Sequence, residues 1–186
     1  MDVSGTLEMI FGPMRSGKTT ELRRRLGIFA SLGFKVTCAN SERDIRPGSG
    51  FSTHNKELCE DSQNIFPQKV KKVKNIDIEG FDVVGIDEAQ FFLEKTLVED
   101  VMKIVNAGKV VIMSGLDGDS DQEEMGDYLK LIPKADKAEK MLAWCYFCAQ
   151  GKRMKRAPFS KRLVENDEKI LVGNMYASVC RECLKN

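Results

Sequence analysis

The sequence predicts an α/β fold with a mostly parallel sheet, followed by a smaller C-terminal unit. Three observations lead to this prediction. Short apolar runs of strand length alternate with segments whose apolar residues recur at helical spacing, a pattern typical of parallel strands with a ligand at their carboxyl ends. A glycine-rich loop separates the first run from the first helix, and two cysteine pairs lie near the end of the chain. We therefore expect one α/β domain over 1–140 and a second, smaller domain over 141–186.

The glycine-rich loop is the first segment with recognisable chemistry. It matches the phosphate-binding pattern G-x-x-x-x-G-K-[ST] at every fixed position, between a predicted strand over 6–11 and a predicted helix over 20–29. Free backbone N–H groups and the positive end of the helix dipole then face an anion. The lysine can reach the outer phosphates and the threonine hydroxyl can bind Mg²⁺, so we expect a nucleoside triphosphate here. The loop consists of Gly12, Pro13, Met14, Arg15, Ser16, Gly17, Lys18 and Thr19.

A later strand end carries two carboxylates. The apolar run that begins at Phe81 predicts a buried parallel strand, and Asp87 and Glu88 follow it directly. In nucleotide-binding folds of this kind, an acid at such a strand end holds Mg²⁺. The alternative is a surface Asp-Glu pair that opens the next helix, where acids favour the helix dipole. The phosphate-binding loop favours the magnesium site.

The other predicted elements are less specific. We predict strands over 34–39 and 109–115, a helix over 94–107, and a loop over 40–56 that contains the only histidine, His54. A lone loop histidine is more often structural or solvent-facing than catalytic.

Three charged segments favour solvated surface over binding sites. Four lysines within 69–74 indicate a solvated edge strand. The acids over 117–127 do not form a calcium loop, because Gln122 and Tyr128 stand where glycine and glutamate are required. The basic run over 152–162 could contact nucleic acid or substrate phosphates, but for most of its residues we favour a solvated, flexible loop.

Composition limits the partners and the compartment. The chain of 186 residues has a net charge of +1, so a general attraction to nucleic acid or membrane is absent. No apolar run approaches membrane-spanning length, and the N-terminus lacks the basic region of a secretory signal. We expect a cytoplasmic protein, in which six cysteines indicate metal ligands or free thiols rather than disulfides.

The cysteine pairs predict a structural zinc site. Cys145 and Cys148 form one C-x-x-C pair, and Cys180 and Cys183 form the other. Two such pairs match a four-thiolate zinc site with no open position for chemistry. The site would join the two ends of the long excursion over 149–179. Cys38 and Cys59 are left as buried thiols.

Together, these motifs resemble the thymidine kinase family shared by vertebrate cytosolic, bacterial and poxvirus enzymes. The resemblance covers nearly the whole chain, in order, and its most specific part is Ile-Asp-Glu-Ala-Gln-Phe-Phe over 86–92. It implies a RecA-like P-loop domain and a zinc-stapled lasso domain that closes over the nucleoside. The other matching segments are the phosphate-binding loop with Thr20-Glu21-Leu22, Asp44-Ile45-Arg46, Thr53-His54, Gly115-Leu116-Asp117-Gly118-Asp119, Ser160-Lys161-Arg162, Tyr176 and the cysteine pairs.

The resemblance implies ATP-dependent phosphorylation of the 5′-hydroxyl of thymidine or deoxyuridine, by a homotetramer or homodimer. Glu88 would be the general base, Thr19 and Asp87 would hold Mg²⁺, and Arg46 and Arg162 would lie near the transferring phosphate. The ATP site would comprise the eight loop residues together with Asp87, Glu88, Ala89 and Gln90. The nucleoside site would comprise Met14, Phe91, Leu116, Ser160, Arg162, Lys169, Leu171, Val172, Gly173 and Tyr176.

One segment departs from the family pattern and leaves other functions open. Ser120 stands where the family usually has an aromatic ring that stacks on the pyrimidine, and 121–126 replaces basic residues and a Pro-Phe-Gly. Loss of a stacking ring costs roughly 1–3 kcal/mol per base. One alternative is a nucleic-acid-dependent ATPase, which the short chain and low net charge disfavour. The other is a catalytically weakened relative that binds nucleotides as a regulatory module, which the altered segment over 120–126 suggests.

Overall fold

The computed structural model describes residues 5–44, 65–163 and 175–185. Strands and helices alternate through the first three quarters of the chain, and short elements follow. Short 3-10 helices lie at Val73–Asn75, Ala89–Phe91 and Tyr128–Lys134. The elements are β1 Thr6–Gly12, α1 Lys18–Ser31, β2 Val36–Ser41, β3 Ile65–Val70, β4 Val83–Ile86, α2 Leu97–Asn106, β5 Val110–Leu116, β6 Lys137–Lys140, β7 Ala143–Trp144, α3 Tyr146–Gln150, β8 Arg156–Ala157, β9 Phe159–Arg162, β10 Tyr176–Val179 and α4 Arg181–Lys185.

The first six strands form one parallel sheet in the order β3-β2-β4-β5-β1-β6. This confirms the predicted α/β fold. Strand β1 lies between β5 and β6, with Ile10 opposite Ser114 and Gly12 opposite Leu116. The carboxyl ends of β1, β4 and β5 therefore meet at one edge of the sheet, where a ligand of such a fold is expected.

The sheet is buried on both faces, which explains the continuous apolar runs of its central strands. On one face, Leu22 and Leu26 of α1 pack with Ile10 and Ile112. On the other face, α2 packs through an apolar stripe with residues of β4 and β5. The members of this second cluster that are fully buried include Leu97, Val101, Val84, Met113 and Phe92. Helix α1 is thereby fixed directly behind the phosphate-binding loop.

Several boundaries differ from those predicted. Strand β2 continues through Ser41 into the predicted loop, and α2 begins at Leu97 rather than at residue 94. Strand β6 was missed because its four residues are charged or small and all exposed, so no apolar pattern marks it. Pairing with β1 places it at the edge of the sheet, and the Asp136 carboxylate accepts the Leu7 N–H at 2.7 Å.

The lysine-rich edge strand is confirmed in part. Strand β3 lies at the other edge of the sheet, and among the described strands its hydrogen-bonded neighbour is β2. It ends at Val70, and Val73 is fully buried in the turn that follows rather than solvated.

The C-terminal part contains two antiparallel ribbons, β7 with β8 and β9 with β10. The prediction of a solvated loop for most of the basic run holds for Lys152 and Arg153, which are exposed outside the strands, but not for the residues on β8 and β9. Arg156 lies on β8 with its guanidinium 4.1 Å from the centre of the Trp144 ring, and Lys161 on β9 donates to the Cys183 carbonyl at 3.0 Å. Cross-strand pairing and these contacts give the segment partners that its charge pattern does not show. Within the described ranges, no helix combines the length and the apolar character that a membrane span requires.

Candidate active site

The phosphate-binding loop connects β1 directly to α1, as predicted. Gly12 has φ +149° and Gly17 has φ +86°, conformations that glycine adopts most easily. A Cβ at Gly12 would also lie 2.2 Å from the Met141 carbonyl oxygen, so no larger residue fits. The Lys18 ammonium lies inside the loop, where it donates to the Pro13 carbonyl at 2.6 Å and to the Ser16 hydroxyl at 3.3 Å. The loop is thus closed around the cation that the motif supplies for phosphate.

Asp87 lies at the end of β4, 1% exposed, against the start of α1. Its Oδ1 accepts hydrogen bonds from the Thr19 hydroxyl at 3.2 Å, from the Glu88 N–H at 3.0 Å and from the Ser114 hydroxyl. Its Oδ2 is buried and has no hydrogen-bond donor among the residues that the structure describes. Burial and the nearby Glu88 charge raise the pKa of Asp87 to about 6, although the hydrogen bonds act in the opposite direction.

This arrangement fits a magnesium ion. A buried carboxylate oxygen without a donor costs free energy unless a cation or another donor satisfies it. Mg²⁺ prefers hard oxygen ligands such as a carboxylate and a hydroxyl, and it keeps several waters. The Asp87 carboxylate and the Thr19 hydroxyl, 3.2 Å apart beside the phosphate-binding loop, are such a pair.

Glu88 is half-buried and its carboxylate is oriented by Gln90. Its backbone has φ +51°, an uncommon value for a residue with a Cβ. The side-chain amide of Gln90 makes both contacts. Its N–H donates to the Glu88 carboxylate at 2.5 Å, and its oxygen Oε1 accepts the Leu116 N–H at 3.0 Å. Gln90 is 1% exposed and Ala89 is buried in the core. These two residues therefore support the strand end from within, whereas Asp87 and Glu88 are the side chains at the loop.

The Leu116 peptide is fixed from both sides. Its N–H donates to Gln90, and its carbonyl accepts the hydroxyl of Tyr128, which is fully buried. Burial raises the pKa of Tyr128 well above its usual value, so the hydroxyl stays protonated and remains a donor. Leu116 itself is half-buried at the end of β5, next to the loop.

The remaining predicted site residues fall into two groups. Met14 and Ser160 are in contact, because the Met14 N–H donates to the Ser160 hydroxyl at 3.0 Å. Arg162 donates to the Tyr176 hydroxyl at 3.3 Å across the β9–β10 ribbon, and Phe91 is half-buried beside the strand end. The other predicted residues lie outside the described ranges: Arg46, His54, Cys59, Lys169, Leu171, Val172 and Gly173.

Sequence reasoning missed three polar residues of the site, Ser114, Tyr128 and Ser178, and it also missed the orienting role of Gln90. Ser114 was detectable, since it is the one polar residue within the apolar run of β5 and stands one residue before Gly115. Ser178 lies in a run with no distinctive pattern, and its partner is 164 residues away.

The four cysteines converge as predicted. Their sulfur atoms all lie within 4.8 Å of one another, with Cys148 3.9 Å from Cys180 and 3.8 Å from Cys183. Tetrahedral thiolates at a Zn–S distance of about 2.3 Å are about 3.8 Å apart, so the donor set fits zinc. Burial opposes ionisation, but backbone N–H groups of Cys180 and Cys148 lower the pKa of Cys145 to about 6. Burial and the neighbouring sulfurs raise the pKa of Cys183 to about 12, which a bound cation would reverse. Cys38, by contrast, is the buried thiol that was predicted.

The sheet order, the strand–loop–helix motif and the strand-end carboxylates define a P-loop α/β protein with an appended four-cysteine module. Comparison with known proteins narrows the class. A family model described as thymidine kinase matches residues 5–184. The chain belongs to the thymidine kinase family.

Poxvirus proteins are among its relatives. The chain is similar to the thymidine kinase of vaccinia virus (strain Ankara), with 37% identity over 183 residues and 96% of each chain covered. It is similar to the thymidine kinase of monkeypox virus (strain Zaire-96-I-16), with 38% identity over 183 residues and the same coverage. It is also 37% identical over 182 residues to the thymidine kinase of sheeppox virus (strain KS-1), again with 96% of each chain covered.

Proposed function

We propose that this protein transfers the γ-phosphate of ATP to the 5′-hydroxyl of thymidine, with deoxyuridine as a second acceptor. The observation that carries the proposal is the Asp87–Glu88 pair at the end of β4. Asp87 has a buried oxygen that receives no hydrogen bond from the described residues and lies beside Thr19, and Glu88 is held by Gln90 next to it. A metal-binding acid and a catalytic base are thus adjacent at the phosphate-binding loop, as phosphoryl transfer to a hydroxyl requires.

In this proposal the loop residues Gly12 to Thr19 hold the ATP phosphates through their backbone N–H groups and Lys18. Thr19 and Asp87 would hold Mg²⁺, whose charge would offset the negative charge of the ATP phosphates. Glu88 accepts the proton of the 5′-hydroxyl as that oxygen attacks the γ-phosphorus and ADP leaves. A carboxylate suffices as a base because the proton departs late in a loose transition state.

The proposed nucleoside-binding residues come from the phosphate-binding loop, from the ends of β4 and β5, and from the β9–β10 ribbon. Met14, Phe91, Leu116, Ser160 and Tyr176 would surround the base, and Arg162 would lie near the transferring phosphate. The family resemblance adds Arg46 near that phosphate and Lys169, Leu171, Val172 and Gly173 as lasso residues that hydrogen-bond the base. It also supports a P-loop domain over 1–140, a zinc-stapled lasso domain over 141–186, a homotetramer or homodimer, and a cytoplasmic location.

A coupled assay of ADP release tests the proposal. Purified protein is supplied with ATP and Mg²⁺ and with one acceptor at a time from a panel of nucleosides, and single-stranded DNA serves as a separate arm. We expect ADP release that depends on thymidine, with an equal amount of thymidine monophosphate. ADP release that depends on DNA and not on any nucleoside would identify a nucleic-acid-dependent ATPase instead. ATP binding without turnover in any arm would indicate a regulatory relative.

A further inference from the structure

Two serines of the C-terminal module hold one peptide of the phosphate-binding loop. The Met14 N–H donates to the Ser160 hydroxyl at 3.0 Å, and the Met14 carbonyl accepts the Ser178 hydroxyl. Both polar groups of a single loop residue are therefore bound by side chains that lie 146 and 164 residues further along the chain.

The two serines form one unit. Ser160 and Ser178 are directly opposite each other in the β9–β10 ribbon, so their side chains lie on the same face. They are 5% and 2% exposed, which removes water as a competing partner. A buried hydroxyl that lost its partner would carry an unfavourable desolvation cost, and this makes the contact selective for one position of the loop.

The ribbon is in turn attached to the four-cysteine cluster. Cys180 follows β10 directly, and Lys161 of β9 donates to the Cys183 carbonyl at 3.0 Å. Ala177 and Val179 of β10 pack in the same buried cluster as Cys145 and Cys148. The serine pair is therefore supported by the four-cysteine module.

We infer that Ser160 and Ser178 are positioning residues for triphosphate binding, which fix the phosphate-binding loop through the Met14 peptide. This inference rests on the proposed function, because it takes the loop as the site of ATP phosphates. It also adds a second role for Ser160, which was proposed above as a residue beside the base. The Ser160 hydroxyl accepts a hydrogen bond from the loop backbone. Because the Met14 N–H is already used by Ser160, the other loop N–H groups and Lys18 bind the phosphates.

The first test is hydrogen exchange at the Met14 amide, measured by NMR on the full chain without nucleotide. Ser160 accepts this N–H directly, so Ser160→Ala should speed its exchange at least about fivefold, the lower range for one lost hydrogen bond. Ser160→Thr keeps the hydroxyl and should restore slow exchange. Unchanged exchange in Ser160→Ala would overturn the inference, since the contact would then not hold the loop.

The second test is the affinity for a non-hydrolysable ATP analogue, measured by calorimetry. Ser178 has no assigned contact with the nucleoside, so Ser178→Ala acts on the loop and not directly on the base. We expect roughly threefold to tenfold weaker analogue binding, the fold-change for one hydrogen bond, and a smaller loss of thymidine affinity, because Met14 is also proposed to contact the base. Ser178→Thr keeps the donor and should recover most of the affinity.

Thr37→Val provides a matched control. It removes a fully buried strand hydroxyl that donates to the Phe66 carbonyl, remote from the loop. It should lower the unfolding temperature without changing analogue affinity. If Ser178→Ala binds the analogue within twofold of the parent while its unfolding temperature falls, the serines are merely structural and the inference is wrong. If the parent itself fails to bind the analogue, the proposed function fails, and the exchange experiment still reports whether the serines hold the loop.

Discussion

Two charged clusters border helix α1 and differ in how their charge is balanced. On one side, the Arg25 guanidinium is 6% exposed and binds three glutamates: Glu8 at 2.6 Å, Glu21 at 2.8 Å and Glu139 at 2.6 Å. On the other side, Asp87 and Glu88 place two carboxylates together, and Asp87 Oδ2 is buried with no donor in the described part of the chain. In the first cluster three cations meet three carboxylates, since Arg24 pairs with Glu21 and Lys137 with Glu139, whereas the second contains an anionic oxygen that no described residue matches.

The difference separates a structural cluster from a candidate site. Arg25 joins α1 to β1 and β6, and each of its three guanidinium nitrogens donates to a glutamate. The pKa shifts agree. Hydrogen bonding to Arg24, against some desolvation and with further help from Arg25, lowers the pKa of Glu21 to about 2, whereas burial and Glu88 raise the pKa of Asp87 to about 6. An ionised group that its surroundings disfavour indicates a position where an exogenous cation is expected.

The largest expected effect concerns the four cysteines, whose thiolate forms would likewise need a cation as their counter-charge. We expect about one zinc per chain by metal analysis, because four thiolates complete a tetrahedral shell. Cys180→Ser should lose the metal and unfold the C-terminal module, since structural zinc contributes roughly 10–16 kcal/mol in small zinc peptides. Cys38→Ala is the control that should retain the metal. A disulfide, or protein purified without chelator that holds no metal, would contradict this prediction.

The next effect is on catalysis. Glu88→Gln should lower kcat at least about 10²-fold, the usual contribution of a general base, and leave ATP affinity nearly unchanged. Glu139→Gln makes the same chemical change in the Arg25 cluster and should keep nearly full kcat. Turnover of Glu88→Gln above about a tenth of the parent rate would show that Glu88 is not the base.

Removal of the central cation should destabilise the balanced cluster. Arg25→Met should lower the free energy of unfolding by about 2–3 kcal/mol, less than for a fully buried pair because the glutamates keep some contact with water. The parent should also lose stability as pH falls from about 5 to about 2, because the pKa of Glu21 is about 2 when folded and 4.5 in its reference state. Arg25→Met should lose less over that window. If the parent and Arg25→Met lost equal stability between pH 5 and pH 2, the pairing of Glu21 with Arg25 would not be the cause of the acid sensitivity.

Neutralisation of Asp87 should instead raise the free energy of unfolding. Without Mg²⁺, Asp87→Asn should raise the free energy of unfolding at pH 8 by roughly 1–3 kcal/mol, the scale of a shift of about two pKa units. In the parent, the pKa of Asp87 is raised from 3.8 to about 6. The contribution of Asp87 to the free energy of unfolding is therefore full below pH 3.8 and is lost as pH rises through about 6. The advantage of the variant should therefore grow from pH 5 to pH 8. A variant less stable than the parent at pH 8 would show that Asp87 is already balanced.

The smallest expected effect concerns the base site. Ser120 is half-buried on the loop after β5 and offers no aromatic face for stacking. Ser120→Phe should tighten thymidine binding about threefold to tenfold, the lower range for base stacking, with little change in kcat. Nucleoside titration at saturating ATP checks this. Unchanged or weaker binding would mean that the segment packs differently or that thymidine is not the substrate.

The parallel sheet and the phosphate-binding loop were predictable because each depends on local pattern. The apolar run before Asp87 and the motif from Gly12 to Thr19 are each recognisable from a few neighbouring residues, and both predict a strand end. The zinc ligands were predictable from spacing in the same way.

The rest depends on contacts between distant segments. Arg25 lies on the buried side of α1, where helical spacing predicts an apolar residue, and one of its partners is 114 residues away. Gln90 was assigned to ATP by family resemblance, but both ends of its amide bind Glu88 and Leu116. No local sequence pattern predicts these side-chain contacts, because they form only when the sheet order brings distant strands together.

The contact between Met14 and Ser178 also orders events during synthesis. The two residues are 164 positions apart, so the loop motif is translated long before its second serine. At about 5–20 residues per second, roughly 8–30 s separate the two on the ribosome. The parallel sheet can assemble during that interval, but the loop peptide receives its last hydrogen bond only when nearly the whole chain is made. A chain truncated before β10 would therefore retain the complete motif while lacking part of the support that holds it.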